Sequence, residues 1–154
     1  MNIIEEILRL PDMTGVIKAR KRPVLLYGMG NGADKILDVL SEKGIAVSDF
    51  FASDGFVRGH SFHEKRVLTF SEIQEKYRNF LILLAFGSSL ESVMTEIYRL
   101  SERHALLAPD VPVCGGELFD ADFYFSHAQE CDRVRMLLAD EKSQSVFDLS
   151  LIHI

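Results

Sequence analysis

The stretch VLLYGMGNGADKI at positions 24–36 constrains the fold more than any other part of the chain. Its first four residues, Val24 to Tyr27, form an unbroken apolar run, as expected of a strand covered on both faces of a parallel sheet. Glycines follow at once. Ala33, Ile36, Leu37 and Leu40 then recur at helical spacing, laying one apolar stripe on a helix expected to end near Gly44. A strand, a glycine turn and a helix in succession admit few architectures.

The pattern repeats along the chain. AVSDFFAS (46–53) reads as a second strand, FLILLAF (80–86) as a third and ALLAPD (105–110) as a further one. Between them, Ser71 with Gln74 and Ser88 with Glu91 have capping-box spacing. The first pair opens a short helix ending near Tyr77; the second opens a longer one striped by Leu90, Val93, Met94, Ile97 and Leu100. DGFVRGHSFHEKR (54–66) is expected to be a polar loop leading to the short segment VLTF (67–70). The alternation predicts an α/β fold: a Rossmann-like parallel sheet with helices on both faces, plus a C-terminal connector helix.

Three segments are expected. Residues 1–22 form an N-terminal helical arm, in which Ile3, Ile4, Ile7 and Leu8 mark a short amphipathic helix stopped by Pro11. Residues 23–125 form the nucleotide-binding domain. Residues 126–154 form the connector helix and tail, opened by Ser126 and Gln129 as a third capping box and carrying Val134, Leu137 and Leu138. Val146, Phe147, Leu149, Leu151, Ile152 and Ile154 crowd the end with apolar surface. That surface is expected to pack on its own domain or on a second copy, making a homo-oligomer plausible.

Composition excludes several roles. A chain of 154 residues, 47% of them hydrophobic, suits one domain with one substantial core. Its 17 Lys and Arg against 23 Asp and Glu leave a net charge of -6, which repels a nucleic-acid backbone or an anionic membrane. The basic cluster KARKR (18–22) reads as a solvated helix end. Two cysteines, Cys114 and Cys131, make no disulfide framework, and the first residues lack the pattern of a signal peptide. No apolar run approaches the roughly 20 residues of a membrane span. A cytoplasmic location is expected.

Gly28, Gly30 and Ala33 satisfy G-x-G-x-x-G/A directly after a strand and at the start of a helix. Gly28 permits the tight turn, Gly30 lets backbone amides approach a diphosphate, and Ala33 lets the helix pack closely on the strand. Together with Asn31 and Gly32 they present a helix N-terminus to an anion. Asp54 is the expected acid for a ribose hydroxyl pair, Asp49 lying too early in its strand. Arg58 and His60 are its loop neighbours. Gly87, Ser88 and Ser89 sit at the carboxyl end of the third strand, where ligands bind in this architecture. NAD, a nucleotide sugar and S-adenosylmethionine all remain open as ligands, as does a turn that holds nothing. Tyr27, standing where the methyltransferase form of the turn carries an acid, argues against S-adenosylmethionine there. No catalytic residue or metal site is expected. His60 and His63 complete no ligand set, Cys114 has no evident base, and Ser88 and Ser89 lack a G-x-S-x-G elbow.

Four segments, LYGMGNGADKILDVL, FFASDGFVRGHSFHEKRVLTF, LILLAFGSS and LLADEKSQSVFD, together resemble the N-terminal region of FkbM-type methyltransferases over roughly residues 24–148. The resemblance implies a small Rossmann-like domain preceding a separate S-adenosylmethionine-dependent O-methyltransferase domain, with LLADEKSQSVFD as the connector. The catalytic domain of that family is expected to begin about where this sequence ends. The expected function is therefore non-catalytic binding of a nucleotide or nucleotide sugar in the service of a methyltransferase. The alternatives are an NAD-dependent oxidoreductase or epimerase, which needs a base such as a Tyr and Lys pair at the crevice, and a ligand-free interaction module.

Overall fold

A computed structural model of the chain describes residues 13–57, 59–112, 118 and 121–150. The amphipathic segment before Pro11, Arg58, Cys114 and the last four residues lie outside the described residues. Those described fall into two compact units, one within Asp12–Val113 and one within Cys114–Ile154.

The first unit is built on four parallel strands: β1 (Val24–Tyr27), β2 (Asp49–Phe51), β5 (Leu81–Leu84) and β6 (Ala105–Leu107), in the order β2-β1-β5-β6. Leu26 is the hub of the ladder, paired with Phe50 on one side and Leu83 on the other. Successive side chains of a strand point to opposite faces. Val24 and Leu26 accordingly join a core with Ile17 of α1 (Met13–Arg20) and with Ala33, Ile36 and Leu40 of α2 (Asn31–Glu42). Leu25 and Tyr27 join a second core with Ile73 of α4 (Phe70–Lys76) and with Ile97 and Leu100 of α5 (Glu91–Arg103). Helices on both faces explain why β1 and β5 carry no charged residue. Among the described residues, no helix is long and apolar enough to cross a membrane.

The polar loop expected over residues 54–66 is more structured than its composition suggests. It holds a one-turn helix α3 (Asp54–Val57) and a hairpin of β3 (Ser61–Phe62) and β4 (Lys65–Arg66). Phe62 anchors the hairpin edge-on to Phe50, with ring centroids 5.1 Å apart. Its turn puts His63 and Glu64 at φ 47° and 62°, the left-handed region that two-residue hairpin turns demand. Neither residue is the Asn or Gly that normally signals such a turn, which hid it in the sequence. Position is kept by His63 Nε2 at 2.7 Å from Asp34 Oδ1 of α2 and by Lys65 Nζ donating to the Ser48 carbonyl at 2.9 Å.

None of the three expected capping boxes forms at its expected residues. α4 is capped two residues early, by Thr69, whose hydroxyl accepts from Glu72 N–H at 3.2 Å while the Glu72 carboxylate accepts from Thr69 N–H at 2.8 Å. Glu72 is favoured over Gln74 because a charged carboxylate suits a helix N-terminus and Arg66 also binds it, at 2.5 Å. α5 begins after Leu90, with Ser88 Oγ accepting from Leu90 N–H at 3.2 Å rather than capping the helix. Ser126 ends a helix, α6 (Ala121–Ser126), its hydroxyl donating to the Asp122 carbonyl at 2.8 Å; His127 precedes α7 (Ala128–Leu137).

α6, α7 and α8 (Glu141–Ser150) form the second unit, where Arg135 grips Asp148 through two hydrogen bonds of 2.7 and 2.8 Å. Val134 and Leu137, expected on the connector helix, lie on α7 and are exposed, as are Val146 and Leu149 of α8.

Asp49 is the one buried charged side chain among the described residues. Lys76 Nζ, at the end of α4, lies 2.7 Å from Asp49 Oδ2, and the Tyr77 hydroxyl donates to the same oxygen. Burial pushes the Asp49 carboxyl up, but the bonds from Lys76 and Tyr77 outweigh it and hold the carboxyl below its ordinary value. The bond to Asp49 raises the Lys76 ammonium, and burial followed by its own bond to Asp49 raises the Tyr77 hydroxyl.

Two outcomes follow from the packing. A Cβ on Gly32 would collide with the Ala85 carbonyl oxygen, so Gly32→Ala should lower stability by about 2 kcal/mol in denaturant titration. An unconstrained helix position would instead gain up to about 1 kcal/mol. The depressed Asp49 carboxyl contributes stability that is present above its unfolded pKa of about 3.9 and is lost as pH falls through its lower folded value. In thermal melts, Asp49→Asn should therefore lower stability at neutral pH and flatten its fall below about pH 4; an unchanged acid limb would show that the cluster does not tie α4 to β2.

Candidate functional site

The winding from β1 through α2 to β2, then back past β1 to β5, reverses the strand order between β1 and β5. Helices depart to opposite faces there, so a crevice opens beyond the strand ends. The glycine turn is on its rim.

Each residue of the turn has a distinct task. Gly28 has φ 116°, donates its N–H to the Phe51 carbonyl at 2.9 Å, and has no room for a Cβ, which would lie 2.8 Å from the Phe86 ring. Gly32 brings the start of α2 against Ala85, and Ala33 is fully buried in the core. These three serve the fold. Gly30, at φ 93°, and Asn31 are exposed, and a Cβ on Gly30 would meet nothing within 4 Å. The positive φ makes Gly30 a conformational requirement whether or not a ligand approaches it. No side chain caps α2, so its first-turn amides are open to an anion. Opposing this, Asp34 stands in the same turn, held by His63.

Beside the turn lies a cavity of about 410 Å³. Its floor is aromatic: Tyr27 stacks on Phe51 with centroids 4.6 Å apart, and Phe86 meets Tyr27 edge-on at 5.0 Å. Met29 and Val93 extend the apolar wall. Phe56 from α3 and Leu90 from the start of α5 stand at its mouth, 69% and 66% exposed. The polar groups are few. Tyr27 Oη lies 2.6 Å from Ser53 Oγ, and His60 and Ser88 complete the polar lining. Bonds from His60 N–H to the Val57 carbonyl and from Val67 N–H to the His60 carbonyl fix the His60 backbone. None of the described lining residues is Asp, Glu, Lys or Arg.

Of the candidate binding residues, Gly28, Gly87 and Ser88 line this cavity; Gly30, Asn31, Gly32, Ala33 and Ser89 do not. Asp54 is exposed at the start of α3 and lines a second cavity of about 320 Å³, with Ser71 and Glu96, that shares Tyr27 and Ser53 with the first. Ser53, one residue earlier, borders the main cavity in its place. Sequence reasoning missed Tyr27, Ser53, Phe56 and Phe86. A usable signal existed for two of them: Tyr27 and Phe86 each stand immediately before a glycine at the end of an apolar run, which puts them at the mouth of the crevice.

Lys76 and Tyr77 do form an adjacent Tyr and Lys pair, but they bind Asp49 at the start of β2, whereas the cavity lies beyond the strand ends. Among the described residues, no three His, Cys, Asp or Glu side chains gather to hold a metal.

No family model matches the sequence, and no curated protein or solved structure is significantly similar to it.

Proposed function

We propose that this chain is a non-catalytic binding domain for a nucleotide-type small molecule. The carrying observation is the place of the cavity: it opens where the strand order reverses, between the glycine turn after β1 and the Gly87–Ser88 turn after β5. A nucleoside in the cavity would leave its phosphates near Gly30 and the open amides of α2. NAD, a nucleotide sugar and S-adenosylmethionine each carry a nucleoside and differ in its base and in what extends from it, S-adenosylmethionine having no phosphate to place there. The resemblance to FkbM-type proteins adds a methyltransferase catalytic domain as the partner, and a cytoplasmic location suits the free, buried Cys131. The exposed Val146 and Leu149 of α8 support self-association through this part of the chain.

The oxidoreductase reading is disfavoured by the position of the Tyr and Lys pair. The interaction-module reading predicts no ligand at all, which makes it separable by binding.

Gly87 offers a clean test, because it lines the cavity, lacks a positive φ, and a Cβ there would meet nothing within 4 Å. In calorimetric titration, at least one of NAD, UDP-glucose and S-adenosylmethionine should bind saturably. Gly87→Leu should weaken that ligand by about tenfold or more, roughly 1.4 kcal/mol, with the unfolding midpoint nearly unchanged. Absence of binding by all three at millimolar concentration would contradict the proposal and favour a turn that serves the fold alone.

A further inference from the structure

The Tyr27 and Ser53 hydroxyls are the polar centre of an otherwise largely apolar cavity. They come from the end of β1 and from just beyond β2, lie 2.6 Å apart, and Tyr27 is only 2% exposed. Two hydroxyls carry two O–H donors and four acceptor lone pairs between them. Their mutual bond uses one of each, so the pair retains one O–H to donate and further lone pairs to accept with. Ser88, the other hydroxyl of the lining, already accepts from Leu90 N–H.

A diphosphate is a poor occupant of this space. The described lining holds no Lys or Arg, and Gly28 N–H is engaged by the Phe51 carbonyl. A flat, uncharged ring with a donor and an acceptor on one edge is a good one. Its faces would cover the exposed Phe56 and Leu90 at the mouth, and its edge would meet the hydroxyl pair.

We propose that the cavity takes the heteroaromatic base of the ligand, and that the Tyr27–Ser53 hydroxyl pair reads the base's hydrogen-bonding edge and so sets specificity. The inference rests on the nucleotide-binding reading above and deepens it: affinity resides in the uncharged base, with any phosphate outside the cavity.

The test titrates the full chain with adenosine, uridine, inorganic diphosphate and toluene, reading dissociation constants by ligand-observed NMR. At least one nucleoside should bind more tightly than diphosphate, and toluene should occupy the cavity as a ring without an edge to read. Tyr27→Phe keeps the ring and its stack on Phe51, and Ser53→Ala removes the partner hydroxyl; each should weaken the nucleoside by about three- to tenfold and leave toluene unchanged. Comparing the two variants keeps the test valid if one of them shifts the unfolding midpoint. A nucleoside that binds the wild type and both variants equally overturns the role of the hydroxyl pair while sparing the binding reading. Tighter binding of diphosphate than of either nucleoside overturns the placement of affinity in the base. If nothing binds, the nucleotide-binding reading falls and this inference falls with it.

Discussion

The close approach of α2 to the end of β5 is the constraint on which the site depends. Gly32 is pressed to the Ala85 carbonyl, and Gly28 to the Phe86 ring. A side chain at either position would push the helix or the ring away from the sheet. With both contacts made, β1 and β5 lie side by side with Leu26 opposite Leu83, and their ends deliver Tyr27 and Phe86 to one place. Gly28 and Gly32 therefore act first as packing elements. Only Gly30 and Asn31 are left facing outward.

The chemistry of the cavity is a consequence of where the strands stop. β1, β2 and β5 are buried on both faces, so the residues at their ends are still apolar or aromatic, and the crevice inherits that character. Polar function enters one residue beyond β2 and Ala52, at Ser53, and from the loop that carries His60. The hairpin after His60 secures that loop by docking Phe62 on Phe50 and His63 on Asp34. An apolar chamber with sparse hydroxyls favours an uncharged ring, because no Lys or Arg stands among its described lining residues to repay the desolvation of an anion.

The fold was legible because its main signals are long-ranged along the chain. Continuous apolar strands, the stripe on α2 and the end of that helix near Gly44 all stand where the sequence places them. Helix starts were not, because Ser or Thr followed three residues later by Glu or Gln recurs by chance. Thr69–Glu72 and Ser71–Gln74 overlap, and only the geometry chooses between them. The hairpin carries no turn signal in the sequence, because His63 and Glu64 take the left-handed turn without a glycine. For the site, the glycine turn was visible as a motif, but sequence spacing alone could not tell Asp54 from Ser53. The one-turn helix α3 carries Asp54 to the second cavity and leaves Ser53 at the first.

A crystal structure of the chain grown with millimolar adenosine or uridine tests the central claim most directly. The account places electron density for the base between Phe56 and Leu90, with one ring edge within hydrogen-bond distance of Tyr27 Oη or Ser53 Oγ and the ribose directed toward Gly30. Density for a nucleoside in the Asp54 and Glu96 cavity, or elsewhere on the surface with the β1 and β5 crevice empty, would contradict it.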